Sequence, residues 1–356
     1  MSRVLYIAYP LLPVTRESAG GAEQILAALE GEVAARGYDT AVAACAGSQV
    51  AGRLLVTGSA PRGIDAYEER EAEHSRYILE HVARWDRPGL RYDLVHDMSG
   101  SFWRHAGALN LPVLATLHLP RSFYREEWFA PQPSNLFFNC VSEAQARTFT
   151  DIPQITQVVQ NGIALEHLPL TCKKGEYLLW LGRFCEEKGP HVAIDAARRS
   201  GMPLVLAGQI YPFSYHQQYF ERSIRPHLES SPAQFTLVDT PAFAQKRELL
   251  RFARALLVPS LCDETSSLVA MEAMACGTPV IAFRRGGIAE IVRHGETGFL
   301  VDTPEEMAEA AREAGTINSF ACRSRVEALF SHLRMADDYG RLYQKIAAQR
   351  ETALAA

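Results

Sequence analysis

The chain has 356 residues, more than one ordinary α/β domain holds, so two domains are the first expectation. A hydrophobic fraction of 47% leaves ample material for a core, and a formal net charge of -5 argues against a sequence-independent nucleic-acid binder, which needs a basic face. Seven cysteines without a Cys-x-x-Cys pair argue against a disulfide framework or a zinc site and for a reducing, cytoplasmic setting.

The N-terminal apolar run is too short to span a bilayer, has no small-residue cleavage site and passes straight into a Gly-rich turn. It reads as a buried first strand over residues 3–9. Further strand-like runs follow at 38–45, 93–97, 112–118, 136–141 and 156–160, separated by helical periodicity at 21–36, 67–85 and 143–149. In the helix from Gly21, Ile25, Leu26, Leu29 and Val33 fall on one stripe. Residues 162–176 break the pattern with Pro169 and a Lys-Lys-Gly turn, as an interdomain linker does. The alternation then restarts, with strands expected at 177–181, 203–207, 235–238, 255–259, 279–283 and 298–301. Helices are expected at 190–200, 244–253, 268–276 and 304–314, and from Asn318 to the end. Strands alternating with helices along the whole chain predict parallel sheets covered on both faces.

Three segments carry candidate chemistry. Ala19-Gly20-Gly21-Ala22-Glu23 lies between the first strand and the first helix, where glycines admit a close ligand and free N–H groups attract an anion. It is not a Gly-x-Gly-x-x-Gly fingerprint, and a tight turn explains it equally well. Gly182-Arg183-Phe184-Cys185-Glu186-Glu187-Lys188-Gly189 follows the first strand of the second half. In open α/β sheets ligands bind outside the carboxyl ends of strands. Arg183 and Lys188 there suit a diphosphate, the one as a fork and the other as a point charge. The alternative is a solvated turn balanced by Glu186 and Glu187. The third segment runs from Pro259 to Val280: a polar loop with Glu264, a helix start at Ser266, Ser267 and Leu268 that can face a phosphate, and Glu272 one turn into the helix. A capping arrangement plus one exposed glutamate is the plain alternative. Glu272 lies among Val269, Ala273 and Met274, where an unpaired carboxylate is costly, and this favours a ligand role.

Together these segments resemble the retaining glycosyltransferases of family 4, which have the GT-B fold. The resemblance rests on Gly-Gly-Ala-Glu at the first helix, Gly-Arg-x-x-x-x-Lys-Gly, Glu-x7-Glu, and Ala273-Met274-Ala275-Cys276-Gly277-Thr278-Pro279-Val280. Asn161-Gly162-Ile163, Gly286-Gly287-Ile288-Ala289-Glu290 and Gly295-Glu296-Thr297-Gly298 also match, so the similarity covers nearly the whole chain. It implies two Rossmann-like doubly wound domains facing a central cleft. These are an acceptor-side domain over 1–168 and a donor-binding domain over 169–334, with a terminal helix over 335–356 packing back on the first.

The implied activity moves a sugar, with retention, from a UDP-, GDP- or dTDP-linked donor to an acceptor hydroxyl on a glycan, a lipid or a small natural product. Arg183 and Lys188 would neutralise the donor diphosphate, Glu272 would hold the ribose, and Glu264 would contact the transferred sugar. Gly20 and Gly21 would approach the diphosphate and sugar from the other domain. His118, at a strand end, matches the family's histidine beside the donor sugar, and His96 is a candidate for the acceptor side. No Asp-x-Asp pair occurs, so no cofactor and no metal are expected beyond the nucleotide sugar. Where the family commonly has Pro-Phe-Gly after the first glutamate, this chain has Thr265-Ser266-Ser267. That departure keeps a non-catalytic sugar-nucleotide-binding protein open, beside a GT-B disaccharide phosphorylase. A nicotinamide oxidoreductase is disfavoured by the missing fingerprint. The aromatic and charged stretch 121–129 reads either as an acceptor-side or membrane-touching segment or as an amphipathic helix packed on its domain. The former would put the protein at the inner face of the membrane.

Overall fold

The computed structural model describes residues 2–18, 20–60, 67–87, 89–130, 132–211 and 213–355. Ala19, which opens the Gly-Gly segment, lies outside them. The chain divides into two compact units, Met1–Gly162 with His332–Ala356, and Ile163–Ser331.

The first unit holds a parallel sheet of β1 (Arg3–Ile7), β2 (Asp39–Ala44), β3 (Arg53–Val56), β4 (Leu94–Asp97), β5 (Val113–Leu117), β6 (Leu136–Cys140) and β7 (Ile155–Val158). Their order is β3-β2-β1-β4-β5-β6-β7. The principal helices between them are α1 (Gly21–Ala35), α2 (Tyr67–Trp85) and the short α3 (Glu143–Ala146). Strand β3 was not anticipated, because Arg53-Leu54-Leu55-Val56 is too short to show an alternation. It lies at the sheet edge, where pairing with β2 alone fixes it.

The second unit repeats the winding with β8 (Leu178–Arg183), β9 (Leu204–Gln209), β10 (Phe235–Asp239), β11 (Ala255–Val258), β12 (Val280–Phe283) and β13 (Gly298–Val301), ordered β10-β9-β8-β11-β12-β13. Its helices are α4 (Pro190–Ser200), α5 (Ser214–Ser223), α6 (Arg225–Ser230), α7 (Phe243–Phe252), α8 (Leu268–Ala275), α9 (Ile288–Ile291), α10 (Pro304–Glu313) and α11 (Ser319–Leu329). Along β8 the side chains alternate between two cores. Leu178 and Trp180 join Val192, Ile194 and Met307 from α4 and α10, while Leu179 and Leu181 join Met271 and Met274 from α8. That period of two, apolar on both faces, is what a central parallel strand requires.

The expected single helix after Asn318 is instead two. α11 stops at Leu329, and Ser331 forms a bridge with Ile163 at the edge of the second unit. α12 (His332–Ala355) then belongs to the first unit. Its buried face is Met335, Ala336, Tyr339, Leu342, Tyr343 and Ile346, the i, i+4, i+7, i+11 spacing of one helix stripe. It packs against α1, and Arg36 forms an ion pair with Asp337 at 2.9 Å.

Both sheets wind outward from a central strand in two directions. The reversal falls between β1 and β4 in the first unit and between β8 and β11 in the second. Crevices for ligands open at the carboxyl ends of strands at such reversals.

Candidate functional site

In the second unit the two strands flanking the reversal carry the charged loops. Arg183 is the last residue of β8, and Lys188 closes a short 3-10 turn, Glu186–Lys188, that follows it. The loop after β11 carries Ser260 and Glu264. The two loops are tied together by Leu261 N–H, which donates to the Glu187 carbonyl at 2.8 Å, and the first loop is anchored to β8 by Trp180 Nε1, which donates to the Lys188 carbonyl at 3.1 Å. Lys188 Nζ reaches Glu264 Oε1 at 2.7 Å, and the Ser260 hydroxyl donates to the same oxygen. Burial works against the Lys188 charge, but Glu264 outweighs it and raises the ammonium pKa above its ordinary value. The lysine is therefore a fixed cation at the end of the sheet.

Two glycines make this packing possible. Gly189 sits at φ +63, and a Cβ there would fall 2.2 Å from the Pro259 carbonyl oxygen. Gly286 sits at φ +61, bridged to Glu264, and a Cβ there would fall 2.3 Å from the Glu264 carbonyl oxygen. Both the backbone conformation and the clash with main-chain atoms exclude larger residues. Gly286→Ala is expected to cost about 1–3 kcal/mol of stability, read by urea unfolding. A loss within about 0.5 kcal/mol, the range of ordinary surface changes, would show that the loop does not depend on this approach.

Glu272 lies one turn into α8 and is 4% exposed. Its carboxylate is not alone: Lys246 Nζ, from α7, lies 2.7 Å from Glu272 Oε1. Sequence reasoning missed Lys246. On an amphipathic helix it reads as an ordinary surface lysine, and only the packing of α7 on α8 brings it to its partner. Ser267 is the N-cap residue of α8, yet its side chain makes no cap hydrogen bond, and no acidic residue lies in the helix's first turn. Ser267 is buried, and the buried Ser266 hydroxyl oxygen finds no hydrogen-bond partner. The start of α8, from Ser266 through Ser267 to Leu268, thus keeps open donors beside a loop that holds a lysine–glutamate pair. Helix N-termini of this kind receive anions. Arg183 contacts Glu187 Oε1 at 3.2 Å and lies over the Tyr211 ring at 5.5 Å, with its side chain 38% exposed.

Three predicted residues lie in the first unit. Gly20 is the N-cap of α1, and the space above it is taken by Glu23: a Cβ on Gly20 would meet Glu23 Oε2 at 1.9 Å. Gly21 is the first residue of that helix. Glu23 is 5% exposed, and burial lifts its carboxyl to about 7. His118 directly follows β5 and is half-buried, and burial lowers its pKa to about 4, so its imidazole is neutral at physiological pH.

His96, a candidate for the acceptor side, is instead part of the interior. It is 0% exposed, with Nδ1 2.7 Å from the Tyr343 hydroxyl and Nε2 2.7 Å from the Thr116 hydroxyl. Tyr343 also meets Tyr6 at 3.0 Å, and Tyr339 meets Thr116 at 3.1 Å, so the histidine helps to seat α12 on the sheet. A strand-end histidine gave no hint of this, because Tyr343 comes from the far end of the chain.

The 121–129 stretch forms two short 3-10 turns, Arg121–Phe123 and Glu126–Phe129, in place of one helix. Tyr124 is buried, and Trp128 and Phe129 pack on the core of the first unit. Arg121 ties Glu126 to Asp151 and covers the Phe129 and Phe149 rings. Phe123 is 54% exposed. Among the described residues no helix is long and apolar enough to cross a membrane.

Two doubly wound parallel sheets, each on its own unit, with charged loops at a reversal point, define an α/β protein of the GT-B class. Its solved counterparts share that fold. A sucrose-phosphate synthase from Thermosynechococcus elongatus has a TM-score of 0.79 at 22% identity, over 98% of this chain and 100% of that one. HepE of Anabaena, solved with UDP and glucose, has a TM-score of 0.75 at 16% identity, over 97% and 100%.

The sequence carries the identification further. The model of glycosyltransferase family 4 matches residues 19–167, and that of glycosyl transferases group 1 matches residues 169–319. The chain belongs to the family 4 glycosyltransferases. Among its relatives, a D-inositol 3-phosphate glycosyltransferase from Jonesia denitrificans is 30% identical over 279 residues. That alignment takes in 63% of this chain and 64% of the relative, so the chain spans less than two thirds of that relative's length.

Proposed function

We propose that the chain transfers a sugar, with retention, from a nucleoside-diphosphate sugar to an acceptor hydroxyl, and that the second unit binds the donor. The observation that carries this reading is the pair of charged loops at the reversal between β8 and β11, with Lys188 held 2.7 Å from Glu264 beside the uncapped start of α8. When the anomeric carbon parts from the diphosphate, negative charge grows on the leaving phosphate. Arg183, Lys188 and the N–H groups at Ser266, Ser267 and Leu268 supply fixed positive potential to meet it, which is the largest kind of catalytic contribution such a site makes. Glu272 binds the ribose hydroxyls, with Lys246 holding its carboxylate in place, and Glu264 contacts the sugar. The acceptor attacks from the face the diphosphate leaves, and a phosphate oxygen takes its proton. The UDP complex of HepE supports a uridine donor.

The test is thermal unfolding with UDP, GDP, ADP, dTDP and NAD added separately. At 100 times its dissociation constant a ligand stabilises by about 2.7 kcal/mol, a shift of several degrees. A shift with one nucleoside diphosphate is expected, and it should vanish in Glu272→Gln, which keeps the shape but weakens the hydroxyl acceptor. No shift with any diphosphate, or a shift with NAD alone, would refute the donor site.

A further inference from the structure

Beside Arg183, on the same edge of the second unit, lies a group of side chains that the donor reading does not use. Cys185, Glu187 and His216 bring a thiol sulfur, a carboxylate oxygen and a ring nitrogen within 4.8 Å of one another. They come from two elements. Cys185 and Glu187 lie in the loop after β8, and His216 lies in the first turn of α5. Cys185 is 0% and His216 1% exposed, while the Glu187 side chain is 31% exposed and gives the group its access to solvent.

The histidine is the telling residue. Both of its ring nitrogens are buried, and neither has a hydrogen-bond partner among the described residues. The rings of Phe213 and Tyr215 pack around it, with centroids 5.2 and 4.2 Å away. Buried polar atoms are nearly always paired, and one left unpaired costs about 1–3 kcal/mol. A histidine kept in that state beside a thiol and a carboxylate has a chemical reason to be there if it is a ligand. The Cys185 thiol donates to the Arg183 carbonyl at 3.4 Å and lies in hydrogen-bond contact with the Glu187 carboxylate, so two of the three groups already face each other. Glu187 has two carboxylate oxygens, so its contact with Arg183 and a bond to a metal can coexist.

We propose that Cys185, Glu187 and His216 form a binding site for a borderline-soft divalent cation of the zinc class. One sulfur, one nitrogen and one oxygen are the ligand types zinc takes, and three protein ligands leave a fourth, tetrahedral position for water. On binding, the thiol gives its proton to solvent and the sulfur bonds to the metal, so one proton is released for each ion. The site lacks a Cys-x-x-Cys pair because its ligands meet only in the folded unit. It lies beside Arg183 but takes none of the groups assigned to the donor.

The test uses the purified full-length chain with Co2+ as a spectroscopic probe, in the absence of any nucleotide, so its result is independent of the donor reading. The expected result is one equivalent of Co2+ bound with a thiolate-to-cobalt charge-transfer band, displaced by Zn2+. The affinity should fall about tenfold or more in Cys185→Ser and in His216→Gln. Cys172→Ser, which removes the exposed cysteine, should leave the band intact. The absence of a charge-transfer band in the unmodified protein would overturn the proposal. So would a band of undiminished affinity in Cys185→Ser or His216→Gln. Circular dichroism of each variant establishes that the fold is retained, and Glu187→Gln, at the accessible position, serves as the third ligand variant if either buried one fails to fold. Undiminished affinity in Glu187→Gln would likewise overturn the site.

Discussion

Arg183→Ala is expected to lower turnover at saturating donor by about 10²–10³-fold, the usual consequence of removing one preorganised donor from a developing negative charge. Its stability should be nearly unchanged. The Arg183 side chain is 38% exposed and its pairing with Glu187 is of the surface type, worth no more than about 1 kcal/mol. Lys188→Ala is expected to lose turnover to a similar degree, but for two reasons that must be separated. Lys188 is the cationic partner of Glu264, which is 8% exposed and would be left with Ser260 alone. Leaving one member of a buried pair uncompensated costs about 3–5 kcal/mol in a dry interior, and less here because the lysine is 32% exposed. The double variant Lys188→Ala with Glu264→Gln removes the orphaned charge, so it should recover much of the stability without recovering turnover. If turnover at saturating donor stays at the unmodified level in both Arg183→Ala and Lys188→Ala, the charge-stabilising role assigned to this loop is wrong.

Much of this arrangement was legible before folding. Two doubly wound parallel sheets follow from the alternation of apolar runs with helical periodicity, because a strand such as Leu178-Leu179-Trp180-Leu181 can bury both faces only inside a covered parallel sheet. Gly189 and Gly286 were visible as glycines, and their positive φ angles and main-chain contacts now give the reason. What the chain did not disclose were pairings made across sequence distance. Lys246 looks like solvent-facing charge until α7 packs on α8, and the partner of His96 is Tyr343 on the terminal helix. The helix α5, with two tyrosines and two glutamines, carries only Phe220 and His216 into the interior, too few to show a periodic apolar stripe. The ends of elements likewise depend on tertiary contacts. The break after Leu329, within a run of good helix formers, is fixed by the bridge between Ser331 and Ile163.

Glu23→Gln should stabilise the first unit, and by an amount that grows with pH. The Glu23 carboxyl is buried beneath Gly20, and burial raises its pKa from 4.5 to about 7, against a smaller lowering by its own backbone N–H. A carboxyl raised in this way favours folding fully only below its unfolded pKa. As pH climbs from 4.5 through 7 the unfolded chain sheds its proton first, and the fold loses on the order of 1 kcal/mol at pH 5 and 3 kcal/mol at pH 8. Glutamine keeps the shape and never ionises. Its advantage should therefore be small at pH 5 and amount to about 5–10 °C in melting temperature at pH 8. The buried histidines act in the opposite sense: His96, lowered to about 3, and His74, lowered to about 4, withdraw stability as pH falls below 6.5. They are present in both proteins, so the comparison of Glu23→Gln with the unmodified chain cancels them. Equal gains at pH 5 and pH 8, or no gain at pH 8, would show that Glu23 is not held protonated by its surroundings. A gain in stability accompanied by a loss of sugar transfer would mean that the chain keeps a costly carboxyl at the start of α1 for the reaction and not for the fold, the trade expected where an active site is built at the expense of stability.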